Sequence, residues 1–245
     1  MIGLSFDTDH MSEARMREFF ALVDVPAGAT FFCVETYECM AGRPHEIGPH
    51  PFLVSHADLA SQLAETRAKF PSARGFRSHS CLYSHAIALG LGQLGFDYAS
   101  TQIASSSRPQ AVREAWGLWQ LPIHYMDNAD FSAQRWWSES SQPPFSDRAI
   151  DTALADDGLY VFGFHPIHVL LNTPSADHYL ARRDAFVAGA TLDALRFEGF
   201  GTADFLDRLL VAVASSGQQT VALADALDAY VETEPALVDS SRLPN

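Results

Sequence analysis

Apolar runs that break off abruptly into polar, chemistry-bearing residues recur along this chain. Met1 to Phe6 is short and apolar enough for a buried strand, and Asp7, Thr8, Asp9 and His10 follow it. Ser12 can cap a helix running to about Val23, with Met16, Phe19, Phe20 and Val23 on one face and Pro26 and Gly28 beyond its end. Ala29 to Val34 reads as a second buried strand, and Glu46 to Gly48 as a short third one that delivers His50 after Pro49. Ser55 opens a helix through Phe70, on which Leu59, Leu63 and Phe70 recur at helical spacing. Gly75 to Arg77 is a fourth short strand leading into Ser78, His79 and Ser80, and the helix from about Ser84 to Leu94 stops at Gly95, a suitable C′ residue. Phe96 to Ser100 and Leu118 to Pro122 carry weaker strand patterns on either side of the polar loop Ser105, Ser106, Ser107, Arg108 and Pro109.

The second half is less regular. Tyr125 to Phe145, which holds Trp136, Trp137, Pro143 and Pro144, has no clean period and reads as a long insert over a site. Leu159 to Phe164 is the clearest strand there and hands over to His165, Pro166, Ile167 and His168. Thr202 can cap a helix to Ala214, and Thr220 to Leu223 can close the sheet before a last helix near Tyr230. Such alternation of strands and helices predicts parallel strands with helices packed outside. With no internal repeat and no linker, residues 1–231 read as one α/β barrel-type domain, and 232–245 as a disordered tail.

Composition narrows the partners. The 245 residues are enough for one such domain, and at 47% hydrophobic and 19% charged they have the make-up of a globular chain. A formal charge of −14 opposes nucleic acid and anionic membrane surfaces. No basic, apolar leader precedes the first strand, and no run approaches the ~20 apolar residues of a membrane span, so a cytoplasmic protein without membrane insertion is expected. Cys33, Cys39 and Cys81 are odd in number and lack a C-x-x-C spacing, which supports neither a disulfide framework nor a thiolate zinc site.

Chemistry gathers at the ends of the strands. Asp7 and Asp9, two apart, face the same way in extended backbone; His50 follows the third strand, Arg77 and His79 the fourth, and His165 and His168 the late one. In a parallel barrel these ends meet on one face. A structural role stands beside the functional one at the first strand, where Thr8 or Asp9 could cap the next helix. An aspartate with two imidazoles suits zinc, iron, cobalt or manganese, and open positions for water would make the site catalytic.

These residues carry a resemblance. Leu4-Ser5-Phe6-Asp7-Thr8-Asp9 resembles the Thr-Phe-Asp-Asp signature of the polysaccharide deacetylases, the NodB-homology group or carbohydrate esterase family 4, and Ala29-Thr30-Phe31-Phe32 is similar to their second strand. Glu46-Ile47-Gly48-Pro49-His50 resembles the segment leading to their metal-binding histidine, and Arg77, His79 and Ser80 fall where their Arg-x-Pro motif lies. Phe164-His165-Pro166-Ile167-His168-Val169 resembles their late strand, in the version of a deacetylase-like branch linked to surface-polysaccharide loci. The resemblance implies a distorted (β/α) barrel of about seven parallel strands that removes an acyl group from an N-acylated sugar with one divalent metal, zinc first and iron, cobalt, nickel or manganese as alternatives. It implies Asp7 as general base, Asp9 and His50 as metal ligands, His165 as the acid that protonates the leaving amine, and Arg77 as the group that orients the base.

Two departures matter. The family's second metal histidine comes four residues after the first, where this chain has Val54; the third ligand then comes from elsewhere or is absent, with His79, His10 and His56 as candidates, of which His79 is preferred because it lies at a strand end. Thr8 separates the two aspartates, so their roles could be exchanged. His10, His168, Trp136 and Trp137 are candidates for substrate binding, although tryptophans packing an insert onto the barrel are the commoner case and His168 could equally be a supporting hydrogen-bonded group. As strand-end groups, Asp7 and His165 are expected to be dispensable for folding. The functional expectation is a hydrolase of an N-acylated sugar or sugar-derived precursor, with two alternatives: a catalytically impaired sugar-binding relative, or a hydrolase of another small amide or imide. The partner is a carbohydrate or sugar-derived small molecule, and a homo-oligomer is left open.

Overall fold

The computed structural model describes residues 1–54, 58–104, 108–114, 116–132 and 143–233. The mostly parallel α/β architecture expected from the sequence is observed, as ten short strands among the described residues rather than about seven. One sheet has the order β3 (Glu46–Pro49), β2 (Thr30–Cys33), β1 (Ile2–Asp7), β9 (Tyr160–Phe164) and β8 (Ile123–Met126), with β10 (Thr220–Val221) beside the start of β1. A second sheet has the order β4 (Gly75–Phe76), β5 (Tyr98–Ala99), β7 (Trp119–Gln120) and β6 (Val112–Arg113), with β6 antiparallel to β7. The sheets abut at both ends. Arg77 N donates to Pro49 O at 3.2 Å at one seam, and β7 passes through Leu121 and Pro122 into β8 at the other. Among the described residues, ladder pairing does not close them into a continuous barrel.

Register brings the strand ends to one rim. Phe6 pairs with Phe164 on one side and with Phe31 on the other, so Asp7 lies level with Phe32 and with His165, which follows Phe164. Cys33 pairs with Pro49, which sets His50 just beyond. Alternation along β1 divides its two faces. Ile2, Leu4 and Phe6 join the helix-side core, where Phe6 stacks on Phe31 at 4.8 Å and meets Phe19 edge-on at 5.3 Å. Ser5 and Asp7 point the other way, toward the space between the sheets. Deeper in that space lies a second apolar cluster that includes Phe32, Tyr98, Leu121, Val161 and Leu223. The packing is close: a Cβ on Gly75 would fall 2.1 Å from the Tyr98 ring.

Helices pack outside the strands. α1 (Glu13–Leu22) is capped by Ser12, whose hydroxyl accepts from Arg15 N, and buries Met16 and Phe19 as the spacing predicts. α2 (Leu59–Lys69) buries Leu63, and α3 (His85–Gln93), capped by Ser84, ends before Gly95 at φ +73°. The Tyr125 to Phe145 insert is corrected in part. Ile123–Met126 is a paired strand of the main sheet, and Asp127–Phe131 is a short helix, α4, leading from it. Trp136 and Trp137 lie outside the described residues, as do His56 and Ser105 to Ser107. α5 (Arg148–Ala155), α6 (Pro166–Leu171), α7 (Ala176–Val187), α8 (Leu192–Leu195) and α9 (Thr202–Ser215) follow. The last helix, α10 (Leu223–Thr233), begins directly after β10 and runs two residues into the expected tail, whose remainder, 234–245, is outside the described residues. No helix among the described residues is long and apolar enough to cross a membrane.

Candidate active site

The guanidinium of Arg77, wholly buried, organises the space below the rim. Its Nη1 donates to Asp7 Oδ1 (2.8 Å) and Ser5 Oγ (3.0 Å), its Nε to Ser100 O (2.7 Å) and its Nη2 to Ser100 Oγ (2.8 Å). The flat cation also lies 4.3 Å over the Phe32 ring. With Oδ1 so held, the second Asp7 oxygen faces His165 Nε2 at 4.0 Å.

Asp9, two residues on, is also buried. Its Oδ2 is 3.3 Å from His50 Nε2 and 3.5 Å from His165 Nε2, while its Oδ1 is 3.0 Å from His79 Nδ1. Donor atoms of Asp9, His50 and His79 all lie within 4.8 Å of one another, and Asp7 is not part of that cluster. Burial would raise the Asp9 carboxyl, but the surrounding imidazoles of His50, His79 and His165 outweigh it and hold it well below the usual carboxylate range.

His165 faces both aspartates from β9. Its other edge is gripped by Asp127, which accepts from His165 Nδ1 at 2.7 Å and from His165 N at 2.8 Å. Burial disfavours the imidazolium, yet Asp127, Asp7 and Asp9 together push its pKa up to about 9. His168, one turn along α6, behaves oppositely. It packs among the rings of Tyr179 (4.6 Å), Phe131 (4.9 Å) and His165 (5.1 Å), with Nδ1 3.3 Å from Thr173 Oγ1, and burial pushes it down to about 3 despite Asp127.

Asp7, Asp9, His50, His79, His165 and His168 all line one cavity of about 440 Å³, together with His10 and the apolar side chains of Ile103, Phe131 and Leu180. His10, in left-handed backbone at φ +59°, reaches the cavity but not the Asp9 cluster. Asp127, Ser100 and Ser5 were not singled out from the sequence. Asp127 ends the short run Ile123-His124-Tyr125-Met126, in which a histidine interrupts the apolar pattern and which falls partly within the expected insert. Two buried contacts weigh against the expected dispensability of Asp7 and His165 for folding: Asp7 is the counter-ion of a buried guanidinium, and His165 is held by a buried carboxylate.

Residues 4–183 match the family model of WbmS-like polysaccharide deacetylases. The chain belongs to that family. Its structure is similar to the crystal structure of WbmS from Bordetella bronchiseptica, described as a polysaccharide deacetylase involved in O-antigen biosynthesis. The two superpose with a TM-score of 0.71 at 23% identity, over 86% of this chain and 89% of that one. A chitin deacetylase from Colletotrichum lindemuthianum aligns at 14% identity over 91% of this chain and 85% of that one, with a TM-score of 0.46. No curated protein matches the chain.

Two outcomes follow from the buried groups. Arg77→Met strands Asp7 as an unpaired buried charge and should cost about 3–5 kcal/mol, the range for breaking one partner of a buried pair. Urea unfolding measures it, and a loss under about 1 kcal/mol would mean that the pair is not a structural element. For His168, the unfolded chain takes up a proton near 6.5 and the folded one only near 3. Its contribution to stability is therefore complete above pH 6.5 and is lost as pH falls toward 3, at up to about 1.4 kcal/mol per pH unit. Unfolding free energies measured from pH 7 to 4 should fall less steeply for His168→Gln than for the parent protein; parallel curves would contradict it.

Proposed function

We propose that this protein is a metal-dependent hydrolase that removes the N-acyl group of a sugar or sugar-derived precursor. The carrying observation is the convergence of Asp9, His50 and His79 beside the His165–Asp127 pair, with Asp7 tethered by Arg77 within 4.0 Å of His165. The donor set fits a cation on its own chemistry. His50 Nδ1 lies 2.9 Å from Arg77 O, and because a carbonyl oxygen only accepts, Nδ1 carries the proton. Its Nε2 then presents a lone pair, buried and without a hydrogen-bond partner among the described residues, to the Asp9 carboxylate. Two electron-rich atoms at 3.3 Å favour a cation between them. Asp9, His50 and His79 are the proposed ligands and zinc the first choice of ion. Such an ion supplies Lewis acidity toward the amide carbonyl and toward water.

The chain's own residues account for the proton transfers. Asp7, its Oδ1 pinned by Arg77 and its Oδ2 free toward the cavity, takes a proton from the attacking water as the new C–O bond forms. His165, held as an imidazolium by three carboxylates, gives its proton to the amine nitrogen as the C–N bond breaks. It releases that proton more readily once the charge of Asp9 is committed to a cation. Val54, in the place of the family's second metal histidine, is the ground for a binding-only relative; His79 beside Asp9 supports the hydrolase reading by offering a third donor. Family membership supports a saccharide substrate, and the likeness to WbmS points toward the precursors of surface polysaccharides.

Acetate release from N-acetylated amino sugars by the zinc-loaded protein tests the proposal. Chelation should abolish turnover, and Asp7→Asn and His165→Ala, assayed where both remain folded, should each lower kcat by about 10²-fold or more. Unchanged rates in His165→Ala, or full activity after metal removal, would overturn it.

A further inference from the structure

The proposed ligands are not equally secured. Asp9 and His50 are buried, at 7% and 2% side-chain exposure, whereas His79 is 36% exposed and reaches in from the turn after β4. Ser80 and Cys81 follow it in left-handed backbone, at φ +56° and +52°. Two consecutive non-glycine residues in that region are strained, and such strain persists only where surrounding contacts over-determine the conformation. The segment after His50 supplies such contacts. His79 N donates to Pro51 O at 3.0 Å. The Phe52 ring lies 4.2 Å from the imidazole of His79, tilted by 31°. Phe52 is itself 47% exposed, so it contributes little to the core. Two residues later Val54 is 83% exposed and offers the site nothing.

We infer that Phe52 is a positioning residue for His79: its ring backs the imidazole and fixes it toward Asp9, so that the Pro51–Phe52 segment turns a half-exposed histidine into a competent third ligand. This rests on the reading of Asp9, His50 and His79 as the cation-binding set. A ligand held by one hydrogen bond can swing; one held by a hydrogen bond and a ring face cannot. Phe52 is absent from the cavity lining, which separates this role from stacking on substrate.

Zinc affinity of the metal-stripped full chain, measured by competition with a chromophoric chelator, is the test. His79→Ala establishes the site, Phe52→Ala removes the backing ring, and Phe52→Tyr keeps it. Affinity should fall about 10-fold or more in Phe52→Ala, the lower end of the range for groups that orient metal ligands. Phe52→Tyr should restore it, and the metal-free melting temperature of all three should stay at that of the parent. If His79→Ala weakens binding but Phe52→Ala does not, the inference fails while the ligand assignment stands. A Phe52→Ala loss that Phe52→Tyr does not restore, or that comes with a lowered metal-free melting temperature, overturns it as a merely structural effect. Absence of zinc binding by the parent, or parent-like affinity in His79→Ala, overturns the ligand assignment and the inference with it.

Discussion

A guanidinium with no access to water is the constraint from which the rest of the structure follows. Arg77 follows the end of β4, and its polar neighbours come from two other strands. Ser5 and Asp7 come from β1, and Ser100 follows β5. Ser5 and Ser100 pass the connection on by donating to Phe162 O in β9 and to Leu121 O beyond β7. His50, after β3, lies against the Arg77 carbonyl. Burying such a charge is costly unless it is paired and its donors are satisfied, so the strands that supply the partners are held in one relative position. The same bonds point one oxygen of Asp7 into the cavity. A folding counter-ion and a site carboxylate are therefore one residue, which ties stability to chemistry at this position.

Much of this was legible in the sequence, for a physical reason. A buried strand must be apolar, and the residue just past its carboxyl end is the first one free to be polar; in a parallel sheet those residues share a rim. Asp7, Asp9, His50, Arg77, His79 and His165 all carry that signature, and the structure brings them into one cavity or directly beneath it. What was missed shows where the rule fails. Ile123–Met126 is only four residues long, follows a proline and contains a histidine, so its run is too short and too mixed to read as a central strand. Asp127 was lost with it. Ser5 looked like part of an apolar stretch, because one polar residue in a short strand does not reveal which face it occupies. Two-residue strands such as β5, β6 and β7 leave almost no periodic trace, so the second sheet was visible only in outline.

Neighbouring titratable groups are pushed in opposite directions here, and that division gives the site its chemistry. Asp9 is held ionised by the imidazoles around it, His165 is raised to about 9 by three carboxylates, and His168, a turn away, is lowered to about 3 by burial. A carboxylate, an imidazolium and a neutral imidazole thus occupy one small cavity, each fixed by what it touches. The ion-binding reading and the acid–base reading depend on each other, since the charge that attracts a cation to Asp9 also holds the proton on His165.

The central claim is that Asp9, and not Asp7, joins His50 and His79 in binding a cation while Asp7 stays with Arg77. Diffraction from zinc-loaded crystals at the zinc absorption edge tests this directly. One anomalous peak bounded by Asp9, His50 and His79, with the Asp7–Arg77 pair intact, is the expected result. A peak bounded by Asp7 in place of Asp9, or no peak at this cluster, would contradict it.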